Sequence, residues 1–344
     1  MDIYERFKQA KYGLMIHFGL YSLLGGQYRD RKGPLYAEWI ESNQQIPNRE
    51  MEALAKIFNP IGFDADKICD FAVRCGMRYI VITAKHHEGF ALYRSKADSF
   101  NTYDASPFHR DIIGEMAQAC KKHGLQLGLY YSQCIDWHEE HGGGYLTDPT
   151  GAAGVSWDNS WDFPDRSVKN YDICFRKKIL PQIEELLTNY GDLFLFWFDM
   201  PLDMRREHSE KIYSLVKELQ PGCLVNSRLG NGLYDYVSLG DNEIPDSIPE
   251  NIAETTDYNG IAGLKPSVHG IYESACTLNC SWGYTAVQEE WKTPEFILNT
   301  RLKLEKLGVN YLINVGPDWL GRIPYRAQEI LLQVQEEYRK AKRI

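Results

Sequence analysis

The stretch Asp192-Leu-Phe-Leu-Phe-Trp-Phe-Asp199 is an uninterrupted run of apolar residues between two aspartates. A run this rich in aromatic residues is typical of a strand buried on both faces, as in a parallel sheet covered by helices. Asp199 would then lie at the carboxyl end of the strand, where such folds place catalytic groups. The alternative is that Asp199 caps a helix or begins a turn, because Pro201 follows closely. The choice depends on the residues at the other strand ends.

The composition excludes several classes of protein. The chain has 344 residues, a net charge of -9 and no strongly basic run, so nucleic-acid binding is not expected. No segment has the roughly twenty consecutive apolar residues of a membrane span, and the start does not resemble a secretory signal. The eight cysteines are scattered, and Cys276 and Cys280 have no second pair, so we expect neither a metal site nor another cofactor. These features predict a cytoplasmic protein.

Buried strand patterns alternate with helical patterns along the whole chain. Strand-like segments end near residues 18, 83, 131, 198, 227, 273 and 315, with room for an eighth at 234–239. This alternation favours a (β/α)8 barrel over a doubly wound sheet. No linker is evident, so residues 1–344 are expected to form one catalytic barrel domain.

Helices are predicted between these strands from their apolar spacing. Asn48 is the expected N-cap of one helix, and Pro181 is expected to kink or divide a long helix over 167–189. The loops at 138–165 and 229–266 are long for a compact domain, which indicates a functional role.

Polar residues stand at or just past most of the predicted strand ends. They are His17, His86, His87, Tyr131, Asp136, Asp199, Arg228 and Glu273. Each one alone has an ordinary structural explanation as a packing histidine or a surface ion pair. In a barrel, however, these ends converge on one face, where together with nearby Trp residues they would form a polar pocket with aromatic walls.

Three reaction classes compete for such a pocket. Metal-assisted hydrolysis lacks a recognised ligand spacing, and adjacent His residues in a strand point to opposite sides. Phosphate binding lacks a glycine-rich loop followed by Lys-Ser or Lys-Thr, because the run at 142–144 is not so followed. Glycoside cleavage needs two carboxyl groups, donors for sugar hydroxyls and an aromatic platform, all of which the chain supplies.

Over nearly its whole length the sequence resembles the α-L-fucosidases of glycoside hydrolase family 29. The motifs that carry the resemblance occur in the order Ile16-His-Phe-Gly-Leu-Tyr-Ser22, Glu38-Trp39, Ala84-Lys-His-His-Glu-Gly-Phe90, Leu129-Tyr-Tyr-Ser132, Asp136-Trp137, Phe196-Trp-Phe-Asp199, Val225-Asn-Ser-Arg228, Tyr272-Glu273, Ser281-Trp-Gly-Tyr284 and Leu312-Ile-Asn-Val-Gly-Pro317. This chain departs from the family in having Met200 after the nucleophile motif, where Gly is usual, and Glu88 where Asp is usual. It also ends near the end of the barrel, without the β-sandwich that many members append.

The resemblance implies a retaining exo-α-L-fucosidase in which Asp199 is the nucleophile. For the acid/base, Asp241 is favoured slightly, Glu273 is a close rival and Glu243 is held in reserve. The resemblance also implies contacts with the fucose hydroxyls, ring and methyl group from His17, Glu38, Trp39, His86, His87, Tyr131, Arg228 and Trp282. The rival interpretations are a fucose-binding barrel without catalysis and a glycosidase acting on a related sugar.

The expected partner is a fucosylated oligosaccharide or glycan, with fucosyl-N-acetylglucosamine units in α-1,6 or α-1,3 linkage both open. A homo-oligomer is one way to bury the surface that a β-sandwich covers in other family members, and the oligomeric state stays open.

Overall fold

The computed structural model describes residues 2–34, 36–146, 157–248, 269–287 and 290–343, and within them eight parallel strands form one curled sheet. In chain order they are β1 (Tyr12–Ile16), β2 (Tyr79–Lys85), β3 (Gln126–Ser132), β4 (Leu195–Asp199), β5 (Leu224–Val225), β6 (Val237–Ser238), β7 (Tyr272–Thr277) and β8 (Val309–Val315). Their order in the sheet is β5-β4-β3-β2-β1-β8-β7-β6. A parallel bridge between Asn226 and Tyr236 joins the two outermost strands. The predicted (β/α)8 barrel is therefore confirmed, including the eighth strand expected at 234–239.

Helices connect the strands, and some of them begin with a side-chain cap. In chain order the helical segments are Ile3–Ala10, Tyr21–Leu24, Ala37–Trp39 (3-10), Ile40–Gln44, Asn48–Ala55, Ala65–Arg74, Ile112–His123, Tyr171–Cys174, Phe175–Ile179 (π), Leu180–Asn189, Arg206–Leu219, Ser227–Leu229 (3-10), Pro294–Leu307 and Tyr325–Lys342. A short antiparallel hairpin pairs Gln27–Tyr28 with Arg31–Lys32. The carboxylates of Asp64 and Asp111 each accept a hydrogen bond from the third backbone N–H of the helix that follows them, which satisfies a donor that the helix leaves free. None of the helices among these residues is long and apolar enough to cross a membrane.

Two helix predictions need correction. Asn48 is the first helical residue rather than the N-cap, because Pro47 before it has the extended backbone of an N-cap. The N–H of Asn48, which the helix leaves free, donates to Oδ2 of Asp162 at 2.7 Å. The helix expected over 167–189 begins at Tyr171, and it contains a π-helical turn over 175–179 instead of a break at Pro181. Proline has no N–H to donate to the fourth preceding carbonyl, so the irregular turn lies on its amino-terminal side.

β4 is buried on both faces, as its apolar run predicts. Phe196 and Phe198 belong to the large core between strands and helices, whereas Leu195 and Trp197 belong to a second core inside the barrel. Alternating side chains on one strand fill both cores. Because burial of each large side chain contributes about 1.5–3 kcal/mol, the end of β4 is firmly held.

Two strands differ from their predicted bounds, and both differences move a polar residue. β5 ends at Val225 because the Asn226 side chain exchanges two hydrogen bonds of 2.9 Å with the backbone of Phe198, replacing the ladder. Arg228 therefore lies on the 3-10 turn after the strand. β7 begins at Tyr272, so Glu273 is its second residue and not its last.

Candidate active site

A cavity of about 230 Å³ lies at the carboxyl ends of the barrel strands. This is smaller than the roughly 300–1,000 Å³ of pockets for drug-sized ligands, and it suits a single sugar ring. Its lining residues are His17, Tyr36, Glu38, Trp39, His86, Tyr130, Trp157, Trp197, Asp199, Met200, Arg228, Asp241 and Trp282. Most of the residues named from the sequence are thus brought together around one space.

Asp199 projects from the end of β4 with 14% of its side chain exposed to the cavity. Its Oδ2 accepts a hydrogen bond of 2.8 Å from the hydroxyl of Tyr130, and its Oδ1 accepts one of 3.1 Å from Nη1 of Arg228. Burial raises the pKa of Asp199 above its ordinary value, while Arg228 and Tyr130 act in the opposite direction by stabilising the carboxylate. Both carboxylate oxygens are therefore oriented by donors.

Arg228 links two carboxylates. Its Nη2 donates to Asp241 Oδ1 at 2.6 Å, while Nη1 of the same guanidinium donates to Asp199. The guanidinium also lies over the ring of Trp197, with its central carbon 4.6 Å from the ring centre. A planar cation with several fixed donors can hold two carboxylates at a defined separation, which a lysine would not do.

Gln133 holds both charged residues in place from outside the cavity lining. No sequence pattern points to this residue beyond its place after a strand. Its amide oxygen accepts from the backbone N–H of Asp199 at 2.8 Å, and its amide nitrogen donates to the carbonyl of Arg228 at 3.0 Å. One buried side chain therefore ties the backbones of both charged residues together.

Three histidines border the cavity or its nucleophile, and all are neutral. Burial lowers the pKa of His17 and of His86 to about 3, and it lowers that of His87 as well. Nδ1 of His17 lies 2.8 Å from Oδ1 of Asn314. Because the amide group of Asn314 donates its own N–H to the carbonyl of Trp282, Oδ1 is the acceptor and His17 keeps its proton on Nδ1. Nε2 of His17 is then unprotonated and can accept a hydrogen bond from a hydroxyl.

His87 stands beside the nucleophile. Ser132 Oγ donates to the carbonyl of Ile135 and lies 2.7 Å from Nδ1 of His87, which assigns the histidine proton to Nδ1. Nε2 of His87 is then unprotonated and lies 3.9 Å from Oδ2 of Asp199. The two paired histidines both lie near the site, with ring centres 4.1 Å apart, since β2 ends at Lys85 and no longer imposes strand alternation on them.

Two buried glutamates are also held neutral at ordinary pH. Burial raises the pKa of Glu38 to about 8, although its Oε2 accepts hydrogen bonds from the N–H of Gly283 and the hydroxyl of Ser281. Burial likewise raises the pKa of Glu88 to about 8. Oε2 of Glu88 lies 3.3 Å from Nδ1 of His86, and the opposite pKa shifts make this contact a pair of neutral groups.

Aromatic rings form the walls. Trp39 contacts His87, Trp137 and Trp157 edge to face, with ring centres 4.9, 5.3 and 5.3 Å away. On the other side of the cavity, the ring centre of Trp282 lies 5.3 Å from that of His17. Apolar walls around a few oriented polar groups are the usual composition of a small-molecule site.

Tyr131 does not line the cavity, contrary to the expectation from the sequence. Its hydroxyl donates at 2.7 Å to Gln182 on the helical layer, whereas the neighbouring Tyr130 points inward to Asp199. Successive side chains of a strand point to opposite faces, so an error of one position exchanged the two tyrosines.

Asp136 also lies away from the cavity. It is fully buried in an ion cluster, where its Oδ2 is 2.9 Å from the ammonium groups of both Lys85 and Lys178. These two charges hold the pKa of Asp136 below its usual range despite its burial. The cluster anchors the loops after β2 and β3, where the backbone N–H of Trp137 bonds to the carbonyl of His87 at 2.7 Å.

The three candidates for the acid/base occupy different places. Asp241 lines the cavity beside Arg228. Glu273 lies inside the barrel, because β7 begins later than predicted. It accepts hydrogen bonds from Tyr79 at 2.7 Å and from Trp197 at 2.9 Å. Glu243 accepts from the N–H of Gly240 within its own turn. Neither glutamate contributes to the lining of the cavity.

Comparison with known proteins shows the family of the chain. A family model described as alpha-L-fucosidase matches residues 1–338. The chain belongs to the α-L-fucosidase family. The resemblance seen in the sequence motifs is thereby confirmed, and the protein is placed among the glycoside hydrolases.

Solved structures and curated relatives of this α-L-fucosidase have the following similarities. Unliganded alpha-L-fucosidase AlfC from Lactobacillus casei is 54% identical, with a TM-score of 0.92 and 99% of both chains covered. The alpha-L-fucosidase from Vibrio sp. strain EJY3 is 32% identical, with a TM-score of 0.86, covering 99% of this chain and 56% of that one. Plasma alpha-L-fucosidase of Homo sapiens is 31% identical over 347 residues, or 95% of this chain. The chain spans 66% of the length of that human relative.

Proposed function

We propose that this family member is a retaining exo-α-L-fucosidase, which removes terminal α-L-fucose from oligosaccharides or glycoconjugates. The observation that carries the proposal is the bridge from Asp199 through the guanidinium of Arg228 to Asp241, which puts two carboxyl groups on one small cavity. Retaining glycosidases use two carboxyl groups about 5–5.5 Å apart, and a single guanidinium between the pair is compatible with that spacing.

In the first step, an oxygen of Asp199 attacks the anomeric carbon of the bound fucose, and the bond to the leaving-group oxygen breaks. Asp241 transfers its proton to that oxygen, so the leaving group departs as a neutral alcohol. In the second step, Asp241 takes a proton from water, whose oxygen attacks the anomeric carbon and displaces Asp199. Two inversions at one carbon return the α configuration, and both carboxyl groups return to their starting states.

The uncharged polar groups that line the cavity support binding of an uncharged sugar. Nε2 of His17 is unprotonated and can accept a hydrogen bond, and Glu38, with a pKa of about 8, keeps a proton that it can donate to a hydroxyl. We propose that these residues, together with Trp39, His86, His87 and Arg228, bind the fucose hydroxyls, and that Trp282 packs against the methyl group.

The leaving group is proposed to be N-acetylglucosamine, in α-1,6 or α-1,3 linkage. The support comes from a similar protein, since an AlfC variant that is 53% identical to this chain was solved in complex with Fucα(1,6)GlcNAc. AlfC has also been solved with α-L-fucose as product.

Azide rescue tests the two roles separately. In Asp199→Gly, activity on 4-nitrophenyl α-L-fucoside should be lost, and azide should restore turnover by occupying the nucleophile's place and yielding β-L-fucosyl azide. In Asp241→Gly, azide should instead attack the fucosyl-enzyme and yield α-L-fucosyl azide. Near-normal turnover of Asp199→Gly without azide, in a variant with unchanged circular dichroism, would refute the proposal.

A further inference from the structure

Met200, the residue directly after Asp199, has a left-handed backbone with φ of 57°. This conformation brings Cβ of an L-residue too close to its own backbone, and glycine adopts it without that clash. Met200 is nevertheless 3% exposed and lines the cavity. A strained residue whose side chain faces a site points to a function for that side chain, because glycine would remove the strain.

The left-handed turn explains how two neighbouring residues reach the same cavity. Asp199 points inward from β4, so a regular strand would direct the next side chain away from the barrel axis. The turn at Met200 reverses the chain instead and directs the thioether to the same side. There it packs in an apolar cluster with Trp39, Ile135 and Trp137, against which Trp157 also packs.

The cavity has a polar floor and a more apolar, partly exposed upper wall. The floor consists of the buried residues His17, His86 and Tyr130. Met200 is also buried, but it belongs to the upper wall because it packs in one cluster with Tyr36 and Trp157. In the upper wall, Tyr36 and Trp157 are half-buried and lie on the solvent side. An exo-acting enzyme holds the terminal sugar on the closed side, so the group that leaves must face the open side.

We infer that Met200 determines leaving-group specificity, by forming with Trp157 and Tyr36 an apolar wall for the acetamido methyl group of an N-acetylhexosamine. Methionine suits such a contact because its thioether is polarizable and adapts to the shape of an apolar group. The inference rests on the proposed function, since it assigns a further residue of the same site.

The test compares three substrates that share fucose and differ in the leaving group. They are Fucα(1,6)GlcNAc, Fucα(1,6)Glc, which has a hydroxyl in place of the acetamido group, and α-L-fucosyl fluoride, whose leaving group is too small to touch the wall. The wild type should prefer the first over the second. In Met200→Gly, the ratio of their kcat/KM values should fall about tenfold, the lower range for one apolar group in a pocket, and the loss on the acetamido substrate should exceed any loss of kcat/KM on the fluoride.

Met200→Ala separates the side chain from the backbone strain. It should lose the same preference as Met200→Gly but melt at a lower temperature, because alanine keeps the left-handed penalty. Met204→Ala is the matched control, since Met204 is buried in the same loop outside the cavity lining, and it should retain the wild-type ratio.

Two results would overturn the inference and leave the fucosidase intact. One is a wild type that shows no preference for the acetamido substrate. The other is an equal loss on all three substrates in Met200→Gly, which would mean that Met200 only positions Asp199. A wild type that is inert even on fucosyl fluoride would instead overturn the proposed function itself.

Discussion

The hydroxyl of Tyr130 donates a hydrogen bond of 2.8 Å to Oδ2 of Asp199 across the neighbouring strands β3 and β4. Tyr130 thus orients the proposed nucleophile and stabilises its charged form. A hydrogen bond to a charged group is worth roughly 1.5–3 kcal/mol, so it can affect both reactivity and pKa.

We expect Tyr130→Phe to lower kcat/KM on 4-nitrophenyl α-L-fucoside by roughly 10–100-fold, the range that follows from such a bond. Tyr131→Phe is the matched control, because its hydroxyl faces Gln182 instead of the cavity. It should keep wild-type kinetics and lose about 1 kcal/mol of unfolding free energy in urea. Equal kinetic losses in both variants would contradict the assigned directions of the two side chains.

The pH profile should show the raised pKa of Asp199. The reaction needs the ionised carboxylate, and burial favours the protonated form. The acidic limb of kcat/KM should therefore lie above the ordinary Asp pKa of about 3.9. Removing the Tyr130 donor should move that limb to still higher pH. A limb that stays in place in Tyr130→Phe would show that another group controls it.

Asp241 should behave as the proton donor and Glu243 should not. Loss of a general acid costs about 10²–10⁴-fold, and it costs most where the leaving group is poor. Asp241→Ala should consequently lose far more activity on a fucosyl disaccharide than on 4-nitrophenyl α-L-fucoside. Glu243→Gln, an isosteric change in a turn outside the cavity, serves as the control and should show the wild-type ratio. The reverse pattern would transfer the role to Glu243.

Glu88 should make the fold less stable as the pH rises. Below about pH 4.3, the ordinary Glu value, the carboxyl is protonated in both the folded and the unfolded chain. Between that pH and about 8 the unfolded chain releases the proton and the folded chain keeps it, so the free energy of unfolding falls. Glu88→Gln removes this dependence and should be more stable than the wild type by roughly 4 kcal/mol at pH 7.5, with a difference of less than about 1 kcal/mol at pH 4.5.

Glu50→Gln provides a control of opposite sign for that measurement. The hydrogen bond from the Tyr28 hydroxyl lowers the pKa of Glu50, so its stabilising contribution is present at neutral pH and is lost as the pH falls. This variant should not gain stability at pH 7.5. Urea unfolding at the two pH values measures both effects, and equal gains for the two variants would contradict the assignment to Glu88.

Much of the barrel was predictable because its strands are short buried runs flanked by helical patterns. The cavity was predictable too, because the polar residues at the strand ends converge on one face of a barrel. The errors concern direction and register, which depend on pairing that the sequence does not contain. Tyr130 and Tyr131 are equally plausible in sequence, and only the alignment of β3 with its neighbours decides which faces inward. The position of Glu273 was wrong because β7 begins at Tyr272 and continues to Thr277, whereas the predicted strand ends near residue 273.

Other parts of the site have no signature in the sequence at all. Gln133 acts through two hydrogen bonds to residues 66 and 95 positions away in the chain. The left-handed turn at Met200 contradicts the preference of its residue type. Such features depend on the assembled tertiary structure.

The neutral groups in and behind the cavity have a thermodynamic consequence. The pKa values of His17 and His86, at about 3, and of Glu38 and Glu88, at about 8, leave all four groups uncharged near pH 6. A neutral sugar that binds there encounters groups already in the protonation state that it needs. These four groups should therefore exchange no protons with the solvent when fucose binds near pH 6. Any dependence of the calorimetric enthalpy on the heat of ionisation of the buffer would then come from other groups, such as Asp199, whose pKa is also raised.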